Sequence, residues 1–484
     1  MKILFVAPEA APLAKEGGLG DVVGALPPHL EALGHDVRLV LPQYRGLRTT
    51  QPPRRREEIL FVHTGVGVQF AAVAETELPG SKVPVYLLEY QEYFDRAGIY
   101  HTREGAYPDN HRRFGLLSRG ALELCLVLGW IPDVVHVHDW TTALIPAYLN
   151  TILSGTPLGQ TASVLTIHNL EHQGRFPVET FPDTGLPGWT LRPDGFGDVG
   201  AANWLKGGLY HADKLTTVSP TYAEEIKGPV GGCGLDGVLR FKAADLIGIV
   251  NGIDEAAWDP ATDPHLPAPI SADDLSGRTV AREALREEFG LDPDLSRPLF
   301  GVVSRLFAQK GMDLFLDIMD RFLGSTRAQF VLLGSGDSLE EERFAAEARA
   351  RPREVGVYLG YNERLAHLIM GGADFLVMPS RFEPCGLSQQ YAMRYGAIPV
   401  VRKTGGLADT VLPAEEPHGT GFLFEPILSE ALLEVLLRAV DLWETEPARV
   451  AALQQNGMRR DASWGASARQ YSQVYEWAAA ARRG

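Results

Sequence analysis

The stretches 14-AKEGGLGDVV-23 and 402-RKTGGLADTV-411 agree at six of ten positions, although they lie near opposite ends of the chain. Each follows a short apolar run, "KILFVA" in the first case and "IPVV" in the second, and each leads into a helical pattern. A Gly-rich turn between strand and helix lets backbone N–H groups approach an anion or a polar ligand, and the helix N-terminus adds a favourable dipole. One Gly-Gly-Leu turn is ordinary packing. Two, each preceded by a lysine, predict an α/β chain of two Rossmann-like domains facing a central cleft. Each domain then offers a Gly-rich lip, because ligands of open α/β sheets bind at the carboxyl ends of the strands.

Composition agrees with two domains. A chain of 484 residues, 45% hydrophobic, with 51 Gly and 33 Pro spread along it, is too long for one core. The net charge of -16, from 61 acidic and 45 basic residues, argues against nucleic acid or an anionic membrane as partner, since both reward clustered Lys and Arg. A neutral polymer or a small metabolite fits better. Three cysteines, Cys125, Cys233 and Cys385, have no metal-type spacing and suit free thiols in a reducing compartment. The opening "MKILFVAPEA" is shorter than the roughly 7 to 15 apolar residues of a secretory signal. "GALELCLVLGWIP" falls short of the roughly 20 residues of a membrane span. The expected location is cytoplasmic.

Apolar runs alternate with helical patterns, as parallel α/β architecture requires. "KILFVA", "DVRLVL", "VPVYLLEY", "DVVHVH", "SVLTIH" and "KLTTVS" belong to the first half. "LIGIVN", "LFGVVS", "QFVLLG", "VGVYLG", "DFLVMP" and "IPVV" are assigned to the second. "NGIDEAAWDPATDPHLPAP" from Asn251 to Pro269 reads as a linker, so the expected domains are 1–250 and 251–461. Tyr471, Val474, Tyr475 and Ala478 follow the i, i+3, i+4, i+7 rule and predict that the terminal segment, 462–484, packs back on the first domain.

Polar residues collect just after the strands. The first lip offers Lys15, Gly17, Gly18 and Asp21, and the second Lys403, Thr404, Gly405, Gly406 and Leu407. Beyond "LFGVVS" come Arg305 and Lys310, a planar fork and a point charge suited to a diphosphate. His138, Asp139 and Trp140 close "DVVHVHDW", and His168 closes "SVLTIH". His136, inside its strand, reads as a core histidine. His136 and His138 could form half of a metal site, but no further ligand cluster has convincing spacing. In "PSRFEPCGLSQQYAMRYG" at 379–396, Glu383 stands at a rigid strand-to-helix turn beside backbone donors. Two alternatives are a structural pair of Glu383 with Arg381, and a nucleophilic Cys385, for which no His and acid partners are evident.

With these motifs in order, the sequence resembles bacterial glycogen synthases and plant starch synthases, retaining glucosyltransferases of the two-Rossmann GT-B architecture, through nearly its whole length. The early Lys-x-Gly-Gly-Leu, the Arg…Lys pair, Glu-Pro-Cys-Gly and the late Thr-Gly-Gly-Leu carry the resemblance. It implies that Lys15, Gly18, Asp21, Asp139, His168 and Asn251 serve the glucose and acceptor. It further implies that Arg305 and Lys310 hold the donor diphosphate, that Tyr361 stacks on the base, and that Glu383 contacts the transferred glucose. Cys385, Gly386, Leu387, Thr404, Gly405 and Gly406 would complete the substrate contacts. Glu16 departs from the Thr, Ser or Val usual in relatives, which leaves the local loop contacts open.

The implied reaction moves glucose from ADP-glucose to the nonreducing end of glycogen or another α-1,4-glucan with retention. Leaving-group charge would fall to Arg305, Lys310 and the helix start after Thr404. Retaining glycosidases use two carboxylates about 5 Å apart. No such pair is evident here, so attack from the leaving-group face is expected, with the departing phosphate taking the acceptor's proton. Asp292-Pro293-Asp294 reads as a turn and not a metal triplet; neither metal nor cofactor is expected. Three rivals remain open at this point. A phosphorylase would carry pyridoxal phosphate, a dehydrogenase would need the third glycine that "LLGSGDS" lacks, and a noncatalytic glucan-binding protein would not need Arg305, Lys310 and Glu383 together. UDP-glucose is the alternative donor; the bacterial resemblance favours ADP.

Overall fold

The apolar runs fold into two separate, mainly parallel sheets in the computed structural model, which describes residues 1–102 and 104–483. One unit comprises Met1–Val218, Ala223–Gly252 and the chain from Trp464 onward; the other comprises Ser219–Tyr222 and Ile253–Ser463.

The first unit is built on a nine-stranded sheet in the order Leu246–Gly248, Lys214–Thr217, Ala162–Ile167, Val134–His138, Lys2–Val6, Asp36–Pro42, Pro84–Glu89, Gly67–Glu77, Arg54–Thr64. All neighbours pair in parallel except the last two, which form an antiparallel hairpin at the edge. The central strands Val134–His138 and Ala162–Ile167 are buried at every residue, as expected of a sheet covered on both faces. The hairpin alternates instead: Leu60 and Val62 are buried while Ile59, Phe61, Val68 and Phe70 are exposed. It was absent from the strands expected of this half. A second correction concerns "LIGIVN", assigned above to the second half. Its strand Leu246–Gly248 pairs with Lys214–Thr217 and ends the first sheet.

The terminal helix Trp464–Arg483 shares the first unit's core, with Tyr471, Val474, Tyr475 and Ala478 packed among Ile3, Phe5, Val22 and Val164. Polar contacts fasten it. Tyr475 hydroxyl lies 2.9 Å from Nδ1 of the buried His136, whose Nε2 meets Thr166 Oγ1 at 2.6 Å, and Ser467 donates to the Val250 carbonyl. Arg482 donates to the Gly159 carbonyl at 2.9 Å.

The second unit holds six parallel strands in the order Val355–Leu359, Gln329–Gly336, Leu299–Leu306, Phe375–Met378, Ile398–Arg402, Phe422–Phe424. Strand alternation sends Phe330 and Leu332 into one core layer, with Phe300, Phe315 and Phe375. Val331 and Leu333 enter the other, with Leu285, Ile369 and Val401.

The stretch read as a linker is fastened over most of its length. The Trp258 ring is stacked between His367 and Tyr391, with centroids 3.8 and 4.0 Å away. The Asp263 side chain is wholly buried and accepts from His367 Nδ1 at 2.7 Å and from the Tyr395 hydroxyl at 2.5 Å. A buried carboxylate is tolerated only when its oxygens are paired in this way. Ile253–Pro269 is therefore packed structure of the second unit, and its Pro-rich, polar composition conceals that. Asp292 and Asp294 lie in the loop before Leu299, where Asp294 pairs with Arg327 at 2.5 Å.

Candidate active site

Parallel α/β folding gathers the tails of neighbouring strands along one edge of a sheet. In the first unit these tails are Ala7–Gly18 after Lys2–Val6, Asp139 after Val134–His138, His168 after Ala162–Ile167 and Asn251 after Leu246–Gly248. The strands are neighbours in the sheet apart from Lys214–Thr217, which stands next to the last.

The first Gly-rich turn feeds the helix Gly18–Ala32. Lys15 Nζ lies 2.7 Å from Asp21 Oδ1, with both side chains partly open to solvent. A Cβ added at Gly17 or Gly18 would meet nothing within 4 Å, so packing within the protein does not demand these glycines. Glu16, the departure from the family pattern, turns its carboxylate to His101 Nε2, 2.7 Å away.

Asp139 is buried and left-handed, with φ of 51°, a conformation that Asp tolerates better than most residues. Its Oδ1 accepts from the His168 N–H at 2.8 Å. Burial pushes its carboxyl up to about 8, against the pull of the His168 and Asn169 N–H groups. His168 Nε2 lies 3.0 Å from His138 Nδ1. Desolvation holds both rings well below the ordinary histidine value, so they are neutral near pH 7 and share one N–H between them. Trp140 packs against Phe114, Phe176 and Trp204. Its ring also fills the space that a Cβ at Gly174 would need.

In the second unit the carboxyl ends of four strands of the sheet present Arg305, Lys310, Tyr361, the Pro379–Leu387 turn and Lys403–Gly406. The strand "LFGVVS" continues to Leu306, so exposed Arg305 lies on its last turn outward, with its guanidinium 5.7 Å from the Phe307 ring. Among the described residues Arg305 has no ion pair. Lys310 does: its Nζ lies 2.6 Å from Glu383 Oε2, which also accepts from Ser380 Oγ at 2.9 Å. Arg381, the partner considered for Glu383, makes a bidentate pair with Asp313 at 2.7 and 2.6 Å. That alternative is set aside.

Two turns interlock behind Glu383. The Gly406 N–H donates to the Glu383 carbonyl at 3.0 Å, and a Cβ at Gly405 (φ 43°) would lie 2.0 Å from that same oxygen. A Cβ at Gly406 would lie 2.0 Å from the Cys385 carbonyl. Gly386 is left-handed, and the Gln389 amide donates to the Cys385 and Gly386 carbonyls. The glycines of the second turn are thus required by close backbone packing, unlike those of the first. Cys385 is buried, Leu387 precedes the helix Ser388–Arg394, and Tyr361 is 85% exposed.

Residues 2–241 match the starch synthase catalytic domain pattern and residues 283–458 the glycosyl transferases group 1 pattern. The chain is 46% identical to glycogen synthase 1 of Methylococcus capsulatus, with 99% of this chain and 97% of that one covered. The chain belongs to the glycogen and starch synthase family. A further member, the glycogen synthase of Myxococcus xanthus, is 44% identical over 98% of this chain and 99% of that one. The solved catalytic domain of starch synthase IV from Arabidopsis thaliana, bound to ADP and acarbose, superposes with a TM-score of 0.90 at 35% identity, covering 99% of each chain. This glycogen and starch synthase family member is accordingly a glucosyltransferase of two Rossmann-like domains.

One buried carboxylate beside the first Gly-rich turn had no signal in the sequence. Glu9 is buried against the first Gly-rich turn, and Tyr100, also at that turn, donates to it. A lone Glu after "FVAP" carries no motif, and its partners are fixed only by folding.

Proposed function

We propose that the chain transfers glucose from ADP-glucose to the nonreducing end of an α-1,4-glucan such as glycogen, retaining the α configuration. The observation that carries this reading is the Lys310–Glu383 pair, held on interlocked turns at the strand edge that also bears Arg305. Two cations and one carboxylate on one strand edge, on a rigid frame, would suit a sugar diphosphate. The binding of ADP by the starch synthase IV relative supports an adenine donor.

In this reading Arg305 and Lys310 stabilise the charge that grows on the departing diphosphate, and the helix start after Thr404 adds its dipole. Tyr361, exposed, stacks on the base. Glu383 stabilises positive charge developing at the sugar. Cys385, Gly386, Leu387, Gly405 and Gly406 supply backbone groups around it. Lys15, Gly18, Asp21, Asp139, His168 and Asn251 take sugar hydroxyls; Asp139, protonated near pH 7, then acts as donor and acceptor together. The leaving phosphate receives the acceptor's proton. Among the described residues no three His, Cys, Asp or Glu side chains are placed to hold a metal, and no helix is long and apolar enough to cross a membrane. We assign the reaction to the cytoplasm, which suits three cysteines that form no disulfide among the described residues.

Incubation with labelled ADP-glucose or UDP-glucose and glycogen tests the assignment. The expected result is α-linked incorporation with kcat/KM favouring ADP-glucose. No incorporation from either donor overturns the activity, and a preference for UDP-glucose overturns the donor.

A further inference from the structure

Lys310 and Glu383 meet at 2.6 Å although they stand on separate turns, 73 positions apart. Lys310 ends the single turn Ala308–Lys310 after the strand Leu299–Leu306, and Glu383 lies between the strand Phe375–Met378 and the helix Ser388–Arg394. Neither turn belongs to a strand ladder, so side chains and turn backbone must fix their register. Arg381 contributes at two points. Its backbone N–H donates to the Gln309 carbonyl at 2.8 Å, and its guanidinium donates to the Ala308 carbonyl at 2.8 Å. Gln309 answers in the other direction, its Nε2 donating to the Phe382 carbonyl at 3.2 Å. These bonds stitch the residues just before Lys310 to the residues just before Glu383. The two backbones also come close beside them, where left-handed Gly311 (φ 65°) has no room for a Cβ, which would lie 2.2 Å from the Pro379 carbonyl.

The Arg381 guanidinium is itself held. Asp313 accepts from its Nη1 at 2.7 Å and its Nη2 at 2.6 Å, while Arg402 donates to the carbonyls of Ser380, at 2.8 Å, and Arg381. The side chains of Arg381 and Asp313 are 32% and 35% exposed, and so open an ion pair adds little to stability. What a two-pronged pair fixes is direction. With both Nη groups turned to the protein, Arg381 acts on the site through its neighbours.

We infer that Arg381, aimed by Asp313, is a positioning residue for glucosyl transfer: it clamps the Lys310 turn to the Glu383 turn and so sets the spacing of ammonium and carboxylate at the transferred group. The inference rests on the proposed reaction. A lysine on a loosened turn still reaches a diphosphate through its long stem. The carboxylate, which must meet charge that develops only in the transition state, depends on the frame, and a misplacement of about 1 Å can cost about 10²-fold in rate.

The test uses the full chain with Arg381→Ala. The expected result is a kcat lowered by roughly 30-fold, with ADP affinity by calorimetry within about threefold of wild type. Guanidinium should restore the rate saturably and methylammonium should not. Arg381→Lys, which keeps the charge without the fork, should stay near the alanine level. In a Glu383→Ala background, adding Arg381→Ala should change kcat by less than about threefold, because no carboxylate is left to place; a loss caused by partial unfolding would appear there in full. Wild-type kcat in Arg381→Ala, ADP affinity lost in step with kcat, absence of guanidinium rescue, or a full further loss in the Glu383→Ala background overturns the inference. If Arg381→Ala does not fold, Asp313→Asn decides: lowered kcat at unchanged ADP affinity upholds the clamp, and wild-type kcat overturns it. Wild-type incorporation from ADP-glucose, measured alongside, separates these outcomes from failure of the proposed reaction.

Discussion

Removing Glu383 should tighten the binding of ADP while nearly abolishing turnover. Lys310 Nζ is 2.6 Å from Glu383 Oε2, and only 18% of the lysine side chain and 7% of the glutamate side chain are exposed. To serve a diphosphate, Lys310 must turn from or share this bond, and the carboxylate repels the incoming charge. A hydrogen bond to a charged group is worth about 1.5–3 kcal/mol net. Part of it survives if the three-donor ammonium bridges both partners, which leaves about 1–2 kcal/mol released on Glu383→Ala. That corresponds to ADP binding roughly 5- to 30-fold tighter. Transition-state stabilisation goes the other way, with kcat falling by about 10² to 10³ for loss of one preorganised electrostatic group. Titration calorimetry with ADP and initial rates with ADP-glucose read the two effects separately. Lys310→Ala should weaken ADP binding, and adding Glu383→Ala to it should change that little, because the gain passes through the lysine. Unchanged or weaker ADP binding by Glu383→Ala would refute the reasoning.

Four further outcomes are expected. Gly405→Ala should lower the second unit's thermal midpoint, since a left-handed alanine costs about 1–2 kcal/mol before its clash with the Glu383 carbonyl is added. Gly18→Ala should leave the midpoint unchanged or higher yet cut kcat/KM for glucan by about tenfold, because only a ligand approaches there. For Asp139, the folded value of about 8 exceeds the ordinary 3.8, so its contribution is complete below pH 4 and lost as pH rises through 8. Relative to Asp139→Asn, which does not titrate, wild-type stability should fall by about 1.4 kcal/mol per pH unit between pH 5 and 7, followed by chemical denaturation. The buried histidines His136, His138 and His168 have depressed values and act oppositely, losing stability below about pH 6.5, which is why the comparison needs the variant. Finally, activity should survive exhaustive EDTA treatment if Arg305 and Lys310 carry the leaving-group charge; loss restored only by a divalent ion would reopen the role of Asp292 and Asp294.

What could be read from the sequence was whatever repeats locally. Parallel strands buried on both faces are continuous apolar runs, so "DVVHVH" and "QFVLLG" declared themselves. The edge hairpin Arg54–Thr64 and Gly67–Glu77 did not, because charged residues alternate with its apolar ones and one face is open. "LIGIVN" was placed in the wrong half because strand patterns carry no information about which sheet they join. The Lys310–Glu383 bond spans 73 positions and the Tyr100–Glu9 bond 91, distances over which no periodicity operates. Asp263 illustrates the same limit. An Asp between prolines looks solvated until His367 and Tyr395 are brought onto it.

The terminal helix also sets an order of events during synthesis. A ribosome that has made the chain as far as Ser463 has supplied every residue of the second unit but has not yet supplied Tyr471, Val474 or Tyr475 to the first. The unit begun earliest is thus the one completed last. Until the final turn of helix emerges, the N-terminal sheet must wait with His136, Ile3 and Phe5 uncovered on one side, a window in which holding chaperones and premature termination would both matter.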